Sequence, residues 1–210
     1  ARLHRQFTHE RRLEIPAVEA FCEGLRPLRR AKKLGAVLMT FPWSFRFTQE
    51  NRDYFIQLRR AFAEFPLVAE MRHASWSCPE AIGTLIDYRV GFANIDQPEH
   101  IKGMPATSFL TSGVGYARLH GKQRPDWFVD FEERQPSRGS GYKYSAVELD
   151  GWQTRIQDVA AFADKTFVFF TNDAGGQSFW NALEMNRRFV MPKRKPGRAE
   201  SGLFRELAVA

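Results

Sequence analysis

The sequence predicts an α/β fold of TIM-barrel-like parallel (β/α) repeats, with about six of a barrel's eight strands present. Three observations carry this. Short apolar runs such as Gly35–Thr40 and Thr166–Phe170 alternate with segments of helical spacing, as strands covered on both faces do. That alternation requires parallel strands joined by right-handed crossovers. Polar or turn-forming residues stand at the carboxyl end of each predicted strand: Arg5, Phe41-Pro42, Glu70-Arg72-His73, Asn94-Asp96, Arg118-His120 and Asn172-Asp173. A barrel gathers all strand ends into one ring and builds its site there, whereas an open sheet uses only its switch point. No Gly-rich phosphate fingerprint follows any strand, which counts against a dinucleotide-binding sheet.

The elements follow in order. Residues 1–5 read as the end of a first strand, and Thr8–Leu13 as a polar turn. A helix over Pro16–Arg30 carries Val18, Phe21, Leu25 and Leu28 at helical spacing, with Pro16 suited to its first turn and Gly24 and Pro27 weakening its end. The second strand ends at Thr40, and Thr48 caps a helix over Gln49–Glu64. A third strand, Leu67–Met71, precedes a capping box of Ser77 and Glu80 and a helix to Tyr88. Val90–Ile95 and Val114–Leu119 are the next strands, the second followed by a long irregular loop, Lys122–Tyr144, of the kind that is functional or disordered. Ser145 and Glu148 form another capping box for a helix to Ala163. The last strand is 166–171, and Gly175-Gly176 leads into a helix through Asn186. The barrel domain therefore spans 1–187, and 188–210 is a basic tail.

The totals narrow the function classes. The chain of 210 residues is 43% hydrophobic and 26% charged, enough for one large core. No apolar run reaches membrane-spanning length and no leader opens the chain, which predicts a cytoplasmic protein without membrane contact. Cys22 and Cys78 have no partner at metal-ligand spacing and read as reduced structural thiols. The net charge of +7 is scattered rather than gathered on one face. It reads as a solvated surface, with nucleic acid or another polyanion as the minority alternative.

The candidate site centres on Val114–Gly121, where Arg118 and His120 share a face at a strand end. Two such residues on one face need partners if buried. Glu70 and Arg72 also share a face, either anchoring a polar or anionic substrate or forming a structural ion pair between strands. His120 is the candidate general base; the plainer alternative is a histidine hydrogen-bonded across the ring. Glu70 and Asp96 are its candidate acid/base partners. Arg72, Arg118, His73, Trp76, Tyr144, Asn172 and Asp173 are the candidate substrate-binding residues, although simple packing accounts equally well for Trp76 and Tyr144. Asn94, Asp96, Asn172 and Asp173 with His120 and Glu70 have the chemistry to hold a divalent metal, but no spacing demands one.

Several stretches in register resemble the YecE-like family, domain-of-unknown-function family 72. They are Phe7–Leu13, Phe41-Pro42, Glu70–Trp76, Tyr116–Gly121, Tyr142–Ser145 with Glu148-Leu149, and Asn172-Asp173 with Asn181–Leu183. The resemblance covers about residues 2–183 and implies a TIM-barrel-type fold without an established activity. It also implies that this chain starts at what would be the family's third strand, so that either the chain is a fragment or the barrel is incomplete, and that Thr171 stands where the family often has asparagine. An open barrel exposes two strand edges and its interior, so poor solubility, strand swapping or a homodimer is expected. The resulting expectation is an enzyme acting by acid/base chemistry on a small polar or anionic substrate at the strand ends. The alternatives are a polyanion-binding module and a barrel whose polar ring is only structural.

Overall fold

The computed structural model describes residues 1–123, 127–128 and 141–190, and the backbone of 208–209. Five parallel strands form a half-barrel sheet in sequence order: β1 (Val37–Thr40), β2 (Leu67–Glu70), β3 (Gly91–Asp96), β4 (Val114–Leu119) and β5 (Lys165–Phe170). A two-residue β6 (Ala208–Val209) pairs with β5. The expected strand at residues 1–5 shrinks to one parallel bridge, Arg2 with Leu38. From Arg5 the chain turns into the helical turn α1 (Arg5–Thr8), so too few residues remain to extend a ladder.

The helices lie where periodicity and caps place them. In α2 (Ile15–Arg30) Pro27 is accommodated inside the helix, on its exposed side, where the carbonyl it leaves unbonded can meet water. Thr48 caps α3 (Gln49–Ala61) by accepting from the Asn51 amide at 3.3 Å. The capping box expected at Ser77 does not form. Ser77 closes a 3-10 turn over Ala74–Ser77 and its hydroxyl donates to the Ala74 carbonyl at 2.7 Å, so the N-cap of α4 (Pro79–Asp87) is Cys78, one residue later. The box of Ser145 and Glu148 does form, at the start of α5 (Ala146–Ala160). The last helix, α6 (Gln177–Val190), runs beyond the expected Asn186. Residues 191–207, most of the predicted basic tail, lie outside the described residues, as does much of the loop 122–144. Among the described residues no helix is long and apolar enough to cross a membrane.

Register decides which side of the sheet each residue faces. Paired residues on neighbouring strands project to the same side, and successive residues alternate. Asp96, Leu119 and Phe170 form one row, and Ile95, Arg118 and Phe169 the next. Leu119 and Phe170 pack with Tyr144, Leu149 and Trp152 between the sheet and α5–α6. The row of Arg118 therefore faces the concave inner side. There Tyr116 stacks on Phe169 with ring centroids 5.0 Å apart, and Phe167 reaches across to Gly35, just before β1. A Cβ at Gly35 would stand 2.4 Å from the Phe167 ring, so only glycine admits this approach. Aromatic rings also fill the helix side of β1 and β2: Phe45 stacks on Trp76, and Phe7, Phe21 and Phe62 meet edge to face.

Candidate functional site

Glu70 ends β2 on the inner side and is wholly buried. Its carboxylate accepts from Arg118 Nη1 at 2.6 Å, and from Arg72 Nε and Nη2 at 3.4 and 3.3 Å. His120 Nε2 lies 3.4 Å from Glu70 Oε1, an electrostatic contact without a formed hydrogen bond. On its other side the ring meets the Thr171 hydroxyl, Nδ1 to Oγ1 2.7 Å. Residues two apart on β2 and β4, and just beyond their ends, thus converge on one carboxylate.

The electrostatics follow from burial and these neighbours. Burial alone would raise the Glu70 pKa, but Arg118, His120 and Arg72 hold it well below the usual carboxylate range. Burial pushes the His120 pKa down to about 4; Glu70 opposes this, while Arg118 and Arg72 reinforce it. At neutral pH the cluster is therefore a carboxylate, two guanidiniums and a neutral imidazole, with one positive charge in excess. Arg118, with 16% of its side chain exposed, is the most accessible of the four.

Trp127 and Gln97 join the cluster, and sequence reasoning passed over both. The Trp127 ring lies over the Arg72 guanidinium at 3.9 Å and beside His120 at 4.3 Å, and its Nε1 donates to Gln97 Oε1 at 2.7 Å. Gln97 in turn donates to the carbonyls of Arg72 and Met104. Trp127 falls within the long loop that reads from the sequence as functional or disordered, but no spacing singles it out. Thr171 is legible afterwards, being two and four residues beyond the inner-facing Phe169 and Phe167.

The structure divides the remaining candidates. Asp96 faces the helices, not His120: its row pairs with Leu119. Its carboxylate accepts from the Tyr144 hydroxyl at 2.5 Å, and the Tyr144 oxygen accepts from the Gly121 amide at 2.7 Å. Gly121 has a φ of +81°, which favours glycine at this turn. Burial raises the Asp96 pKa, partly offset by the Tyr144 hydrogen bond. Asn94 faces the same way and fastens the loop before β4, donating to the Phe109 and Tyr116 carbonyls and accepting from Thr107 and the Phe109 amide. Asn172 bonds Asn181 and the Tyr142 carbonyl, also on the helix side. Trp76 is fully buried in the core and donates to the Phe45 carbonyl. His73 caps the 3-10 turn by accepting from the Ser75 amide. Asp173 is exposed, although its charge is felt at Arg118. Among the described residues no group of three or more His, Cys, Asp or Glu is placed to hold a metal ion.

Tyr144 accordingly carries two buried polar groups. Tyr144→Phe is expected to lower stability by about 1–3 kcal/mol, because the Asp96 carboxylate and the Gly121 amide both lose their partner. A urea denaturation series measures this.

Comparison with known proteins agrees with the fold and the motifs. A DUF72 family protein from Thermotoga maritima is similar with a TM-score of 0.82 and 27% identity, over 90% of this chain and 72% of that one. A DUF72 family protein from Enterococcus faecalis matches with a TM-score of 0.76 and 24% identity, over 90% of this chain and 74% of that one, a likeness of fold. No curated protein matches. The family described as "Protein of unknown function DUF72", the same family as the YecE-like one, matches residues 1–202, and the chain belongs to it.

Proposed function

We propose that the inner-face cluster is the substrate site of an enzyme that binds a small polar or anionic compound. Arg118, with Arg72 behind it, attracts and orients the ligand. His120 exchanges the proton, and Glu70 holds all three in place. The observation that carries this reading is the wholly buried Glu70 carboxylate joined to two arginines and facing a neutral histidine, all at strand ends. In barrels of this type the site is built at that end. A buried ion cluster is poor evidence for stability alone, since well-packed apolar residues usually serve as well. Arg118 also has guanidinium donors beyond the one that meets Glu70, and its side chain is 16% exposed. His120 is neutral at pH 7 and therefore in the form a general base requires. Asp96 has no part in this reading because it lies on the other side of the sheet.

Inorganic phosphate serves as the probe. A ligand that binds only the folded state raises its melting temperature by mass action. The wild-type protein is expected to melt higher in phosphate than in chloride of equal ionic strength, and Arg118→Met to lose most of that difference. An equal rise in both proteins would refute the role of Arg118.

A further inference from the structure

We propose a second oxyanion subsite at the rim of the same strand-end face, formed by the indole N–H of Trp43 and the imidazole N–H of His73. Four loops bring its rings together: Trp43 follows β1, His73 follows β2, His100 follows β3 and Phe128 follows β4. The Trp43 ring lies 5.2 Å from His73, 5.1 Å from His100 and 5.6 Å from Phe128.

The tautomer of His73 follows from its partners. Its Nδ1 accepts from the Ser75 backbone amide at 3.1 Å, and an amide nitrogen can only donate. The Ser75 hydroxyl lies 2.9 Å from the same Nδ1 and accepts from the Phe47 amide, which leaves its own proton for the histidine. Nδ1 is therefore unprotonated, and the neutral ring carries its hydrogen on Nε2. That Nε2–H is buried and has no acceptor among the described residues. The Nε1–H of Trp43 is likewise buried without an acceptor. Buried polar groups are nearly always satisfied, and each one left unmet bears its full desolvation cost. Two such donors in adjoining rings call for acceptors at this rim.

The surrounding charges give those acceptors their sign. Burial lowers the His73 pKa, and Arg46, Lys102 and His100 lower it further, with no carboxylate among the described residues opposing them. The Arg46 guanidinium is 5.7 Å from the centre of the Trp43 ring. Two ring N–H donors beside the cations Arg46 and Lys102 fit the oxygen of a phosphate or carboxylate. This subsite is separate from the Glu70 cluster and does not depend on Arg118.

The test is nitrogen–proton NMR of the full chain titrated with phosphate, and separately with acetate. The indole signal of Trp43 is assigned through Trp43→Phe, which keeps a ring and removes the donor. The Trp43 indole and His73 ring signals are expected to shift saturably with phosphate, with acetate, or with both, according to the kind of oxyanion preferred. The same shifts are expected in Arg118→Met. His73→Asn keeps an acceptor for the Ser75 amide but lacks the Nε2 donor, and should weaken binding at least tenfold while the fold persists. Signals that stay still with both anions would mean that water alone meets these donors, and would overturn the proposal. Shifts that vanish in Arg118→Met would overturn its independence and assign the effect to the Glu70 cluster.

Discussion

Glu70→Gln is expected to destabilise the protein by about 3–5 kcal/mol, the largest loss of any single substitution in the cluster. The carboxylate is wholly buried, and the side chains of Arg72 and Arg118 are 7% and 16% exposed. Removing the negative charge leaves two guanidiniums without their counter-ion in a place water reaches poorly. An amide can still accept hydrogen bonds but cannot neutralise either charge. Much of the loss therefore belongs to the stranded arginines, and a double-mutant cycle exposes it. Arg118→Met added to Glu70→Gln should cost less than the sum of the single changes, by about 0.5–3 kcal/mol. A loss below about 1 kcal/mol for Glu70→Gln would mean that the arginines turn to solvent and the cluster holds nothing together.

Acid should weaken the fold through His120 before it does so through Glu70. In the unfolded chain a histidine takes up a proton near pH 6.5. In the folded chain burial holds His120 unprotonated until about pH 4. Between those values the unfolded state binds more protons, so stability falls as pH falls, by roughly 3 kcal/mol across the window. Glu70, with its pKa held well below 4.5, adds its loss only under more acid conditions. His73 is shifted in the same direction as His120, and Asp96, with a raised pKa, works the other way. The comparison that isolates His120 is therefore the stability curve of wild type against His120→Gln, which should lack this slope from pH 6.5 to 4. Trp127→Ala supplies the converse. It opens the ring to water, and because burial is the main cause of the depression, the His120 pKa should rise toward 6.5 in an NMR titration.

Much of this arrangement is legible in the residues. Two-residue spacing puts Arg118 with His120, and Glu70 with Arg72, on shared faces, and all four come to the same side. The same spacing cannot tell which side of the sheet a neighbouring strand presents. Asp96 stands at its strand end as plausibly as His120, yet pairing with Leu119 turns it to the helices. Caps show a similar limit. Ser145 and Glu148 close their box, whereas Ser77 fits the same pattern but spends its hydroxyl on the preceding turn. Residues 1–5 look like a strand because Ala1–Leu3 do pair with the backbone around Leu38, but α1 starts at once. Trp127 and Gln97 lie in loops without periodicity, so nothing in their spacing points to the histidine and arginine that Trp127 covers.

The Glu70 cluster is proposed to receive a small anion. The most direct test of this is the NMR signal of the His120 ring during a phosphate titration at constant ionic strength and neutral pH. The expected result is a saturable shift of the His120 resonances in the wild-type protein that is absent in Arg118→Met. His120 signals that stay unmoved in the wild type, while phosphate perturbs only groups outside the cluster, would contradict it.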